Sequence, residues 1–192
     1  MLDQKLIGLL ISSLLILACG SCTTMPQTDL SRATLQTQVD ETIDLFIRRD
    51  PNIKKLFKNA YGYAVLPQIV KGAFLVGGGH GQGHLFKQGE MVGYCSVSQA
   101  SIGASIGGQT FREIIFFEDA ESFKLFCANE IAFSAQVTAV AVNAGSALKV
   151  KYRDGIIVFI KMDKGLMADV SAGGQVFKYV PKSNLDESSN NA

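Results

Sequence analysis

The residues whose types and spacing could do chemistry lie in three short patterns, and the first is glycine-rich. Residues 77–83 have a GxGxxG-like spacing, as in loops that bind dinucleotides. Such a loop follows a strand and opens a helix, so that the helix N-terminus meets the pyrophosphate. The residues that follow, 84–89, instead have the pattern of a strand and a turn. We therefore predict a glycine-rich strand pair or bulge here.

The second pattern is a formal GxSxG motif at residues 103–107, with Ser105 in the position of a hydrolase nucleophile. A nucleophile elbow needs a strand, a sharp turn and a helix, with Asp and His later in the chain. Here strand periodicity continues, and both His80 and His84 precede Ser105. Convergent triads take other orders, but no helix follows, so we predict no catalytic residue and no enzymatic activity.

The third pattern is the pair His80 and His84, which would share one face of a helix as zinc ligands do. Gly81 and Gly83 disfavour a helix. On a strand, the two positions lie about 13 Å apart, too far to bind one metal ion. We expect surface or hairpin histidines, no metal site and no cofactor.

The composition excludes two classes of protein. Of the 192 residues, 47% are hydrophobic and 18% are charged, with a formal net charge of +1. A disordered chain has low hydrophobicity and a large net charge. A nucleic-acid partner is not expected either, because phosphate neutralisation needs a clear basic excess. The length predicts one domain.

Residues 1–18 have the pattern of a secretory signal, in which Lys5 precedes an apolar run too short to span a bilayer as a mature helix. The sequence Ile-Leu-Ala-Cys at its end is similar to a bacterial lipobox. We therefore expect Cys19 to be the lipid-attachment residue. The cysteine of a lipobox is diacylated, which meets the requirement of two or more acyl chains for stable anchoring. The alternatives are lipidation at Cys22, a secreted protein cleaved near the same place, and an uncleaved anchor.

Cys95 and Cys127 would then lie in an oxidising envelope, where a disulfide between them is one alternative. Both are flanked by apolar residues. This favours two buried thiols.

The remaining chain predicts a tether at residues 19–28, a domain at 29–181 and a disordered tail at 182–192. A helix begins near Asp29 or Ser31, ends at Asp50-Pro51 and is followed by a short second turn. Its apolar face comprises Leu35, Val39, Ile43, Phe46 and Ile47. Asp119 is the predicted N-cap of one internal helix.

A period of two indicates strands elsewhere. The strand-like runs are 62–66, 72–79, 83–86, 91–97, 100–109, 111–117, 132–143, 147–152, 156–161, 166–172 and 175–180, with turns at 88–90, 154–155 and 173–174. We predict a β-rich α+β fold with a strongly curved or nearly closed antiparallel sheet, an N-terminal amphipathic helix and one internal helix.

Seven short motifs in this region occur together in a fixed order. They are AYGYAVLP at 60–67, KGAFLVGG at 71–78, GQG at 81–83, GYCS at 93–96, SIGASIGGQ at 101–109, KGLMA at 164–168 and SAGG at 171–174. Taken together, they resemble the SYLF lipid-binding domain family in its bacterial lipoprotein form, from about Leu30 to Tyr179. The chain departs from that family at Tyr94, where many members carry Trp, and at Ala104, where a larger apolar residue is common in bacterial members.

The resemblance implies a lipid-binding domain. Eukaryotic members bind phosphoinositide membranes, partly through an N-terminal amphipathic helix, and some bind actin. Bacterial members are similar to envelope proteins. Because bacteria generally lack phosphoinositides, that lipid specificity is not carried over to this chain. Actin binding is not carried over either.

Basic residues supply a mechanism that is compatible with lipid binding. Arg48, Arg49, Lys54, Lys55 and Lys58, together with Asp50, give a net charge of +4 within eleven residues, and Lys71 follows. Each basic residue near an anionic surface contributes about 1 kcal/mol. We predict that these six residues bind phospholipid; the alternative is an ordinary solvated face.

The sequence therefore predicts a non-enzymatic, lipid-anchored protein of the bacterial cell envelope, in the outer membrane and facing the periplasm. Its predicted partner is a phospholipid membrane. The alternative is an envelope scaffold that binds a protein partner and has no lipid beyond its own anchor.

Overall fold

The computed structural model describes residues 25–26, 28–129, 132–133 and 140–183. The helices are α1 (Asp29–Arg49), a 3-10 helix (Pro51–Ile53), α2 (Lys54–Asn59), α3 (Ala120–Cys127) and α4 (Ser146–Lys149). The strands are β1 (Gly62–Lys87), β2 (Glu90–Phe117), β3 (Ala132–Phe133), β4 (Val140–Ala141) and β5 (Ile156–Pro181). They form one sheet in the order β1-β2-β5-β3, and β4 pairs with β5 in parallel. The predicted α+β class with a mainly antiparallel sheet is confirmed.

The sheet is dominated by three long antiparallel strands. The six strand-like runs before Glu118 are merged into β1 and β2, which pair along their whole length from Lys87↔Glu90 to Gly62↔Phe117. Irregularities such as the register shift between Leu66 and Ile69 bend β1 without reversing it. The predicted turn at residues 88–90 is confirmed, because Gln88 and Gly89 both have positive φ, as a tight hairpin requires.

The sheet is strongly curved, as predicted, and the two halves of β1 cross at glycines. A Cβ added to Gly81 would lie 2.7 Å from the carbonyl oxygen of Gln68, and one added to Gly83 would overlap that of Val65. Side chains do not fit at such a crossing, which explains the glycine-rich pattern sterically. Within the described ranges, the strand order does not lead back to β1, so the sheet is not closed.

Alternate residues of the long strands enter two different hydrophobic cores. Ala64 and Leu66 belong to the inner core, which lies within the curved sheet and is covered by α3. Tyr63 and Val65 belong to the outer core, which is covered by α1 and α2. Both faces of the sheet are therefore buried in this part of the fold.

Helix α1 begins at Asp29, within the predicted start, because Thr28 and Ser31 form a capping box. Leu35, Val39 and Phe46 are buried against the sheet, each contributing roughly 1.5–3 kcal/mol. The predicted amphipathic helix is confirmed. So is the internal helix α3, whose N-cap Asp119 accepts a hydrogen bond from the Ser122 amide.

Two local predictions are wrong. Residues 147–152 were expected to form a strand, but helix α4 occupies residues 146–149. Its Ala147 amide donates a hydrogen bond to the carboxylate of Asp50, which is distant in the sequence. Residues 173–174 were expected to form a turn, but they lie inside β5, paired with Ser101 and Ala100 of β2. Pairing with the long neighbouring strand therefore overrides the local preference of two glycines for a turn.

Candidate functional site

Asp50, directly after α1, joins three elements of the chain. Its carboxylate accepts hydrogen bonds from the Asn52 amide (3.1 Å), which starts the 3-10 helix, and from the Ala147 amide (2.7 Å) in α4. Burial alone would raise the pKa of Asp50, but the hydrogen bonds from Ala147 and Asn52 outweigh it and lower the pKa. The charged carboxylate thus fixes α4 against the end of α1.

A basic surface surrounds this junction, and we call it the basic end. Five of its residues were predicted from the sequence, namely Arg48, Arg49, Lys54, Lys55 and Lys58, and all five are exposed. Across the part of the chain that the structure describes, none of the five makes an ion pair. Their charge is therefore available to an external anionic partner.

The structure adds two lysines to the basic end that sequence reasoning missed. Lys149 and Lys151 are exposed, and they lie shortly after Ala147, whose amide donates a hydrogen bond to Asp50. No local pattern could have placed them there, because the connection spans 97 residues. The sequence carries no signal for this helix start, because its N-cap residue, Gly145, has no side chain that could cap it.

Lys71, the sixth predicted residue, does not join the basic end. It follows Val70, which lines a groove with the N-terminal half of α1 as far as Gln38. Ten helical residues, or about 15 Å, separate Gln38 from Arg48. Lys71 is half-buried, so the structure leaves it outside the exposed cluster.

The two histidines both lie in the β1–β2 hairpin but occupy different environments. His80 is exposed as expected, whereas His84 is buried beside Tyr94 and Phe86 in the layer that α1 covers. Burial lowers the pKa of His84 to about 4; nearby Asp40 acts in the opposite direction. Neither ring nitrogen has a hydrogen-bond partner among the described residues. His84 thus has the hairpin position that was one of the two alternatives, and it is not at the surface because α1 packs over this strand.

One carboxyl group is buried in the inner core. Glu113 lies on β2, where its Oε2 accepts a hydrogen bond from Gln175 Nε2 (3.1 Å). Burial raises the pKa of Glu113 to about 7, although the Gln175 bond acts in the opposite direction. Its other oxygen has no partner in the described ranges.

The backbone agrees with the rejection of both loop motifs. Residues 77–83 lie inside β1 and residues 103–107 inside β2, so neither segment opens a helix. No group of three His, Cys, Asp or Glu residues suited to a metal ion occurs among the residues that the structure describes. Cys95 and Cys127 are free thiols. Cys95 is buried, as favoured from the sequence, whereas Cys127 is only half-buried, and burial raises the pKa of each.

The predicted lipid-attachment residue, Cys19, and most of the tether lie outside the described residues. Among the helices that are described, none has both the length and the apolar character needed to cross a membrane.

The chain is similar to a protein called Beta cell expansion factor A from Aeromonas veronii. The two are 29% identical over 161 residues, which are 83% of this chain and 60% of that protein. The chain therefore spans less than two thirds of its relative's length. No protein-family model matches the chain.

Proposed function

We propose that this chain is a non-enzymatic lipoprotein of the bacterial envelope that binds anionic phospholipid membranes through the basic end of a SYLF-like domain. The observation that carries the proposal is the cluster of five exposed basic residues without an ion pair among the described residues, together with two added lysines, around one fixed junction. At about 1 kcal/mol for each residue near an anionic surface, such a cluster supports appreciable affinity.

The proposal includes the anchor. Cys19 would carry the acyl chains and hold the domain at the outer membrane, facing the periplasm, where tethering raises the effective concentration of the basic end at the lipid surface. Metabolic labelling with a palmitate analogue tests this in cells. We expect Cys19→Ser to abolish labelling and Cys22→Ser to leave it unchanged; the reverse result would move the anchor to Cys22.

Membrane binding is tested with the chain from residue 20 onward, which contains every residue of both cores. Sedimentation with phosphatidylglycerol-containing vesicles is compared between the parent protein and a variant in which five basic residues are each replaced by Glu. These residues are Arg48, Arg49, Lys54, Lys55 and Lys58. We expect this variant to lose binding, and we expect none of the proteins to bind pure phosphatidylcholine vesicles.

The matched control carries the same change in net charge at five other exposed lysines. They are Lys87, Lys124, Lys164, Lys178 and Lys182. We expect this control to retain most of its binding, which would separate a located surface from a net-charge effect. Equal loss in both variants would contradict the proposed site. No binding by the parent protein would favour the envelope scaffold with a protein partner.

A further inference from the structure

Helix α4 holds a large apolar side chain in solvent beside the basic end. Leu148 is 64% exposed, and it lies between Ala147, whose amide bonds to Asp50, and the exposed Lys149. Burying a leucine contributes roughly 1.5–3 kcal/mol, and the fold does not use this contribution at Leu148.

The exposed position of Leu148 is fixed by its neighbours. The residue before Ala147, Ser146, also donates a hydrogen bond to Asp50 (3.3 Å), and Gly145 has a left-handed backbone with φ of +79°. The Leu148 amide itself donates to the Gly145 carbonyl (3.3 Å). Two hydrogen bonds to one buried carboxylate therefore prevent α4 from folding its leucine back onto the sheet.

The charges around Leu148 indicate the chemistry of its partner. Lys149 and Lys151 are exposed, and Arg49 directly precedes Asp50, which bonds to Ala147. These positive charges favour an anionic partner surface. Lysine is depleted from the cores of protein interfaces, whereas at a membrane surface its long stem lies along apolar groups and its ammonium reaches the phosphates. A leucine among lysines thus fits an anionic bilayer better than a protein surface.

We infer that Leu148 inserts among the acyl chains of the anionic bilayer that the basic end contacts. This inference rests on the proposed function and adds an apolar anchor to its electrostatic attraction. Replacing Leu148 by alanine removes three carbon atoms from the inserted group. We expect Leu148→Ala to weaken vesicle binding roughly tenfold, and Leu125→Ala, an exposed leucine on α3, to leave binding unchanged.

The chain contains no tryptophan, so a single introduced indole reports on its own position. Leu148→Trp and the control Leu125→Trp, in a side chain that is 41% exposed, are mixed with phosphatidylglycerol-containing vesicles whose acyl chains carry bromine. We expect the emission of the first to shift to the blue and to be quenched by bromine. We expect the emission of the control to remain unchanged.

The outcomes separate this inference from the proposed function. If Leu148→Trp protein sediments with the vesicles but its emission is neither shifted nor quenched, insertion is refuted and electrostatic binding stands. Equal quenching in Leu125→Trp also overturns the inference, because insertion would not be specific to α4. If no protein sediments, the proposed function fails and the inference fails with it.

Discussion

Replacing Glu113 by glutamine isolates the effect of one buried charge in the inner core. The carboxyl group is fully enclosed by the sheet, and its single described partner is the amide of Gln175. Glutamine has the same shape and can accept the same hydrogen bond, but it does not ionise. Any pH-dependent difference between the two proteins therefore reports on the charge.

The direction and magnitude follow from the pKa of Glu113, which burial raises from 4.5 to about 7. As the pH rises above 4.5, the unfolded chain releases this proton while the folded protein retains it until about pH 7. The contribution of protonated Glu113 to the free energy of unfolding is therefore fully present below pH 4.5 and is lost as the pH rises towards and through about 7. At pH 8, a pKa shift of this size lowers the free energy of unfolding by about 3 kcal/mol relative to its value below pH 4.5.

Urea unfolding at pH 4.5 and pH 8 measures the effect. At pH 4.5 we expect Glu113→Gln and the parent protein to have similar free energies of unfolding. At pH 8 we expect the variant to be more stable by about 3 kcal/mol. The control Glu118→Gln, at an exposed position near the end of β2, should show no pH-dependent difference. A variant that is equally destabilised at both pH values would refute the reasoning.

Three further predictions concern the outer core, the Asp50 junction and the crossing of β1. Burial lowers the pKa of His84 from 6.5 to about 4. The contribution of neutral His84 to stability is therefore present above pH 6.5 and is lost as the pH falls towards 4. Over that range, urea titrations should show that the free energy of unfolding falls by about 3 kcal/mol less in a His84→Gln variant than in the parent protein. Asp50→Ala removes the hydrogen bonds to both helix starts and should lower the free energy of unfolding by about 2 kcal/mol. Proteolysis should also become faster in the segment around α4. Unchanged cleavage in that segment would show that Asp50 does not fix α4. Gly83→Ala places a Cβ against a backbone carbonyl and should cost about 3 kcal/mol or prevent folding, whereas Gly72→Ala, with nothing within 4 Å of its added Cβ, should unfold at nearly the parent urea concentration.

Elements defined by local chemistry could be predicted from the sequence. The capping box at Thr28 and the breaker at Pro51 define α1. The tight turns at Gln88-Gly89 and Asp154-Gly155 have positive φ values, which Gly89, Asp154 and Gly155 favour by residue type. In each case the determining residues lie within a few positions of one another.

Features that depend on distant partners could not be predicted. The α4 helix and its lysines owe their position to Asp50, almost a hundred residues earlier. His84 is buried because α1 covers β1, and nothing near His84 in the sequence announces that layer. The position of Lys71 also depends on the fold and not on its local sequence. It lies apart from the other five predicted basic residues, which are neighbours in the chain and remain neighbours in the fold.

The presence of a core on each side of the long strands has a consequence for how the chain finds its alignment during folding. In a sheet with one wet face, a slip by a single residue exposes every apolar side chain and is strongly disfavoured. Here a slip would move the apolar side chains of a strand from one hydrophobic core to the other, without exposing them to water. Correct alignment must therefore be enforced by positions that cannot be exchanged. A slip would bring His84 to the place of Gly83, where no side chain fits, so the glycines select the single pairing that allows β1 to cross itself.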